Sequence, residues 1–96
     1  MARSPGSQAA AVTAPATSTT SATIATAASA GAARIIVNDS AAILYLRFGS
    51  AAASSTDYTV ALAATGGTYV APDNAYSGTI TGILASGVGF ARVTSW

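Results

Sequence analysis

Ala42-Ile43-Leu44-Tyr45-Leu46-Arg47-Phe48 is the stretch whose reading decides the fold. Side chains alternate across a strand, so Leu44, Leu46 and Phe48 share one face while Ile43, Tyr45 and Arg47 share the other. One face is made for a core. The other is amphipathic and suits a partner. Toward the C-terminus, Asp57-Tyr58-Thr59-Val60-Ala61-Leu62 alternates in the same way, with Tyr58, Val60 and Leu62 expected inward. It runs to Gly66-Gly67, where positive φ suits a tight hairpin returning through Thr68-Tyr69-Val70-Ala71. Pro72-Asp73-Asn74 is a further turn, with proline presetting φ. Gly78 to Leu84 and Phe90 to Thr94 then read as two strands around Ser86-Gly87. Toward the N-terminus, Ala33-Arg34-Ile35-Ile36-Val37 is a strand and Asn38-Asp39-Ser40 the turn that ends it.

Turn signals at about ten-residue spacing predict an all-β module, a small antiparallel β-sandwich or jelly-roll-like barrel of about six to seven strands. The first of these is weak: Thr20-Ser21-Ala22-Thr23-Ile24-Ala25-Thr26, rich in β-branched residues. Alanine-rich stretches at 25–33 and 49–55 allow at most a short turn of helix, because neither has a stripe of large apolar residues. Before the first strong strand, residues 1–30 are dominated by Ala, Ser, Thr and Pro, with Val12 and Ile24 the large aliphatic residues. That composition does not offset its own ordering entropy. The expected organisation is therefore a low-complexity, extended N-terminal arm over 1–30 and a β-sandwich module over 31–96.

The 96 residues include no cysteine and no histidine, and only 7% are charged. Neither a disulfide nor a histidine-bound metal can reinforce a module of this size. With a net charge of +1, the surface offers little electrostatic resistance to association, so copies of itself or a larger partner are expected to cover much of it. Arg3, Arg34, Arg47 and Arg92 are dispersed and interleaved with Asp39, Asp57 and Asp73, which is no footprint for nucleic acid. The stretch from Ser4 to Ala33 is too polar and too interrupted by proline for a membrane span, and the N-terminus lacks the Leu-rich core of a secretory signal.

Histidine- and cysteine-based nucleophilic catalysis is excluded by residue type. Glutamate and lysine are missing as well. Of the three aspartates, Asp39 and Asp73 sit in turn signals and Asp57 opens a strand, so none is marked out as an acid or base, and Asp73-Asn74 is a faint calcium motif. The glycines of Gly82 to Gly89 lack the lysine of a phosphate loop and are expected to serve a hairpin. No enzyme activity and no cofactor are expected. Tyr45, Tyr58, Tyr69, Tyr76, Phe48, Phe90 and Trp96 can stack sugars or bases, but their alternating positions favour core and subunit packing.

Taken in order, several blocks resemble small virion-associated structural proteins of tailed bacteriophages. They are Ile36-Val37-Asn38-Asp39-Ser40 running into Leu44 to Gly49, Tyr58-Thr59-Val60, Gly66-Gly67-Thr68-Tyr69 with Pro72 beyond, Tyr76 to Ile83, and Ala91-Arg92-Val93-Thr94. The resemblance covers residues 34–96 and leaves out the arm. It implies a virion component made in the bacterial host cytoplasm, first of all a capsid decoration or cement protein. A neck, tail or fibre-attachment protein is the second reading, and a carbohydrate-binding module using Tyr76 and Trp96 a third of another class. The implied partners are the major capsid protein or another virion protein and further copies of the chain, without nucleic acid or membrane. Val12, Ile24, Ile43, Tyr45, Arg47, Tyr76 and Trp96 are the candidate interface residues.

Overall fold

The computed structural model describes residues 11–27, 33–71 and 76–96. These residues form strands and no helix: β1 (Ala11–Thr13), β2 (Ala16–Ser18), β3 (Ala22–Ala25), β4 (Arg34–Asp39), β5 (Leu44–Phe48), β6 (Val60–Leu62), β7 (Thr68–Ala71), β8 (Ile80–Leu84) and β9 (Val88–Ser95). They build two antiparallel sheets. The first has the order β1-β9-β4-β7 with β2 also on β9, and the second β3-β8-β5-β6.

β1 and β2 are one strand with a flaw. Ala11 faces Ser95 and Thr13 faces Val93; then Ala16 faces Phe90 and Thr17 faces Gly89, so the register continues unbroken. Between them the Pro15 carbonyl still accepts from the Ala91 amide at 3.0 Å. Proline cannot return that bond, and such a residue is tolerated at a sheet edge. Counted this way there are eight strands, four per sheet. Every connection after β2 crosses between the sheets except β5 to β6. This is the two-sheet jelly-roll arrangement.

Alternation along each strand builds the core. Ile36 from β4, Leu44 and Leu46 from β5, Leu62 from β6, Ile80 and Leu84 from β8, and Ala91 and Val93 from β9 are buried between the sheets together with Ile24 from β3. Gly82 makes room for Ile24. A Cβ on Gly82 would lie 2.6 Å from Ile24 Cγ1 and 3.3 Å from Leu44 Cδ1. Two polar side chains tie the segments that cross between sheets. The Asn38 amide nitrogen lies 2.8–3.2 Å from the carbonyls of Ala42, Leu62 and Ala63, and Asn38 Oδ1 accepts from the Ser40 hydroxyl at 2.6 Å. Arg34 donates to the carbonyls of Thr26, Gly78 and Tyr76 at 2.8–3.2 Å.

Several expectations change. Among the described residues the sandwich has nine strand segments rather than six or seven: β3 is the weak strand expected around Ile24, and the stretch assigned to an extended arm supplies β1 and β2 besides. The sheets therefore already include residues 11–25, which were expected to belong to the arm rather than to the module over 31–96. An edge strand needs only backbone pairing with β9, which small residues provide as well as large ones. The expected hairpin at Gly66-Gly67 is a crossover: β6 belongs to the second sheet and β7 to the first. Its positive-φ positions are Thr65 and Gly66, one residue earlier than expected. Ser86-Gly87 likewise joins β8 to β9 across the sheets. Asn38 belongs to β4, and besides tying the local turn through Ala42 and Ser40 it bonds across to the end of β6. Tyr58 is exposed, since β6 starts only at Val60. The Pro72-Asp73-Asn74 turn lies outside the described residues.

Candidate interaction surface

The two sheets share one core but differ on their outer faces. On the second sheet, Tyr45 and Arg47 of β5 and Thr81 and Ile83 of β8 point outward, as the pairings Tyr45–Ile83 and Arg47–Thr81 require. The connection over residues 49–59 folds back across them. Thr81 donates to the Ala51 carbonyl at 2.7 Å, the Ala53 amide donates to the Ser21 hydroxyl at 3.0 Å, and Ala53 is buried. Tyr58 lies against Tyr45 with ring centres 4.8 Å apart, and Arg47 Nε pairs with Asp57 Oδ2 at 3.1 Å. Serine and aspartate hold this loop locally: Ser54 and Asp57 exchange backbone bonds, and the Ser54 hydroxyl accepts from the Asp57 amide at 2.9 Å.

No such cover lies on the first sheet among the described residues. Its register puts Val12, Thr94, Ile35 and Val70 in one row across four strands. The next row holds Arg92 and Val37 with Thr68, and beyond it stand Ala16, Phe90 and Asp39, then Ser18 and Val88. Val12 is 65% exposed, Val70 57%, Val88 81% and Phe90 49%. The two charges on this face pair diagonally, Arg92 Nε to Asp39 Oδ2 at 3.0 Å. The result is a largely apolar sheet face with one charge of each sign near its middle. Aliphatic and aromatic side chains presented together in this way mark an interaction site more often than scattered ones do.

At one end of the sandwich, Tyr76 stacks on Phe48 at 4.7 Å with the rings 6° from parallel, and Phe48 lies tilted against Tyr69 at 5.3 Å. The Arg34 guanidinium sits 5.9 Å from the Tyr76 ring centre. Arg34 is buried, and its desolvation lowers its pKa from the ordinary arginine value. It also lines a cleft of about 540 Å³ between the edges formed by β1 and β3, with Ile24, Thr26, Val93 and Ser95. Three carbonyls from two segments, Thr26 on one and Tyr76 and Gly78 on the other, converge on this cation, so its evident work is to hold the end of the fold together. No cluster of three acidic or other metal-ligating side chains occurs among the described residues.

The candidate interface residues do not gather on one surface. Val12 lies on the bare face of the first sheet. Ile24 is in the core, 3% exposed, because β3 pairs with β8 and turns it inward. Ile43 is exposed beside β5, Tyr45 and Arg47 lie under the 49–59 loop, and Tyr76 belongs to the aromatic stack. Trp96 is half-buried, its backbone exchanging bonds with Ala33 at 3.1 Å in both directions. Val70, Val88, Phe90, Arg92 and Asp39 were not singled out. Their signal was in the sequence, since Val88, Phe90, Arg92 and Thr94 alternate along β9, but both faces of that strand carry apolar residues. Comparison with protein-family models, with curated proteins and with solved structures finds no match.

Proposed function

We propose that the chain is a structural subunit of a tailed-phage virion, foremost a capsid decoration protein that stiffens the head shell by adding buried interface. One observation carries the reading: the chain covers the outer face of one sheet with its own loop, while among the described residues nothing covers the apolar face of the other. Three further features support it. The blocks over 34–96 resemble virion proteins, charge is sparse enough to allow close packing of copies, and jelly rolls recur in viral shells. Fold alone does not carry function, so the surface is what the proposal stands on.

The mechanism is static, with many weak contacts acting together to give strong attachment. The test is to add purified protein to particles of its phage that lack it and to follow shell rupture on heating. Saturable binding that raises the rupture temperature supports decoration. A copy number of a few dozen or fewer on the particle axis moves the protein to the neck, tail or a fibre attachment point. Absence of binding to any part of the particle overturns the virion reading.

A carbohydrate-binding module is the second reading, favoured by the recurrence of jelly rolls in lectins and by the exposed Phe90 ring. The contribution expected from Tyr76 is restricted, because one face of its ring stacks on Phe48 and its hydroxyl donates to the Thr79 carbonyl at 2.8 Å. Glycan-array binding lost on Phe90→Ala would establish this reading, and silence across a broad array would remove it.

A further inference from the structure

We infer that the bare face of the first sheet is a homotypic contact, taken up by the same face of a second copy related by a two-fold axis. This rests on the assembly reading above and adds which surface is used and what sits on it. The case for a second copy is charge complementarity. Within the described part of the face, Arg92 and Asp39 are the only charged side chains, opposite in sign and joined at 3.0 Å. A two-fold copy laid face to face can exchange the two partners, Arg92 of each chain meeting Asp39 of the other. The face is thus complementary to itself, as an isologous interface demands. A partner of strong net charge of either sign would find nothing here to select it.

The apolar residues agree. Val12, Ile35 and Val70 lie in the row beyond Arg92, while Phe90 stands beside Asp39 with Val88 in the row beyond it. Stacking two such faces buries apolar side chains at both ends and leaves the charges between them. This is the way two sheets pack face to face inside a sandwich. At about 4.8 Å between strands and about 3.4 Å per residue, the paired residues of the first sheet cover a footprint of roughly 400 Å² per copy. Two copies together give roughly 800 Å², below the ~1,200 Å² of a standard specific interface. The contact is therefore weak and reversible, and it becomes populated where copies are concentrated on a surface.

The test is sedimentation equilibrium of the full chain over a wide concentration range, with charge-reversal variants. Arg92→Asp makes the face doubly negative and Asp39→Arg doubly positive, so each variant repels its own copies. Each is expected to weaken self-association by about tenfold or more, a change worth ~1.4 kcal/mol. An equimolar mixture of the two is expected to recover it, as is the double variant Arg92→Asp/Asp39→Arg. All these side chains are half-exposed, so thermal melts of the variants check that the fold is intact. Three results would overturn the inference: one is a wild-type chain that stays monomeric into the millimolar range, and another is single variants that associate as wild type does. A third is a mixture no better than its components. Phe90→Asp, assayed for particle binding in parallel, separates the two levels. If self-association is absent but Phe90→Asp abolishes particle binding, the face docks on a different protein, and the homotypic contact fails while the virion reading stands. If neither association nor particle binding is found, both fail.

Discussion

The two sheets of this sandwich bury equivalent inner faces and treat their outer faces in opposite ways. The second sheet is roofed by residues 49–59 through one hydroxyl-to-carbonyl bond, one amide-to-hydroxyl bond, a tyrosine pair and an ion pair. The first presents Val12, Val70, Val88 and Phe90 to solvent. A chain of this length has only so much loop to spend. Placing its longest connection, residues 49–59, on one sheet teaches that burial by the chain itself and burial by a partner are alternatives. The face without a roof is the one that can be used.

The comparison can be broken first at what the sheets have in common. Leu46 of β5 is fully buried against both sheets, and Leu46→Ala is expected to cost about 2–5 kcal/mol in urea unfolding. A loss below 1 kcal/mol, on the order of a surface change, would mean that the sheets do not share one core. Next comes Gly82→Ala, which drives a methyl into Ile24 and Leu44 and is expected to cost about 1–3 kcal/mol. An unchanged melting temperature would show that β3 can step away from the core. Smaller again, and aimed at the roof itself, is Thr81→Val, which removes the bond to the Ala51 carbonyl and should cost about 1 kcal/mol. Cleavage within 49–59 by a non-specific protease should accelerate in that variant, whereas Thr94→Val on the bare sheet should leave it unaltered. The smallest effect on stability is expected for Phe90→Ser, within about 0.5 kcal/mol by chemical denaturation. If Phe90→Ser unfolds the protein, the face is holding the fold rather than awaiting a partner.

Much of the second sheet could be read directly from residues. Leu44 and Leu46 turn inward and Tyr45 and Arg47 outward, as alternation demands, and β3 falls inside the β-branched run around Ile24. Hairpins were the failure. Positive φ at a glycine reverses the chain, but whether the next strand pairs with the last or crosses to the opposite sheet is decided by tertiary packing. Both Gly66 and Gly87 sit in crossovers. Residues 11–18 hid for another reason: their pairing partner, β9, lies seventy or more positions away, and their own side chains carry little of the burial that announces a strand. The bare face followed from the same gap. Val12, Val70 and Phe90 form a surface only once β1, β9, β4 and β7 are placed side by side, and no local pattern contains that fact.

β9 is the hub of this arrangement, pairing with β1 and β2 on one side and β4 on the other. Until it is in place, the first sheet has nothing to close around, and β4 has only β7 beside it. Contacts of such long sequence separation must close large loops before they yield anything, which puts folding in the millisecond-to-second range, roughly, rather than in microseconds. Until β9 docks, the edge of β4 that it covers stays open, so its pairing is what closes the middle of the first sheet.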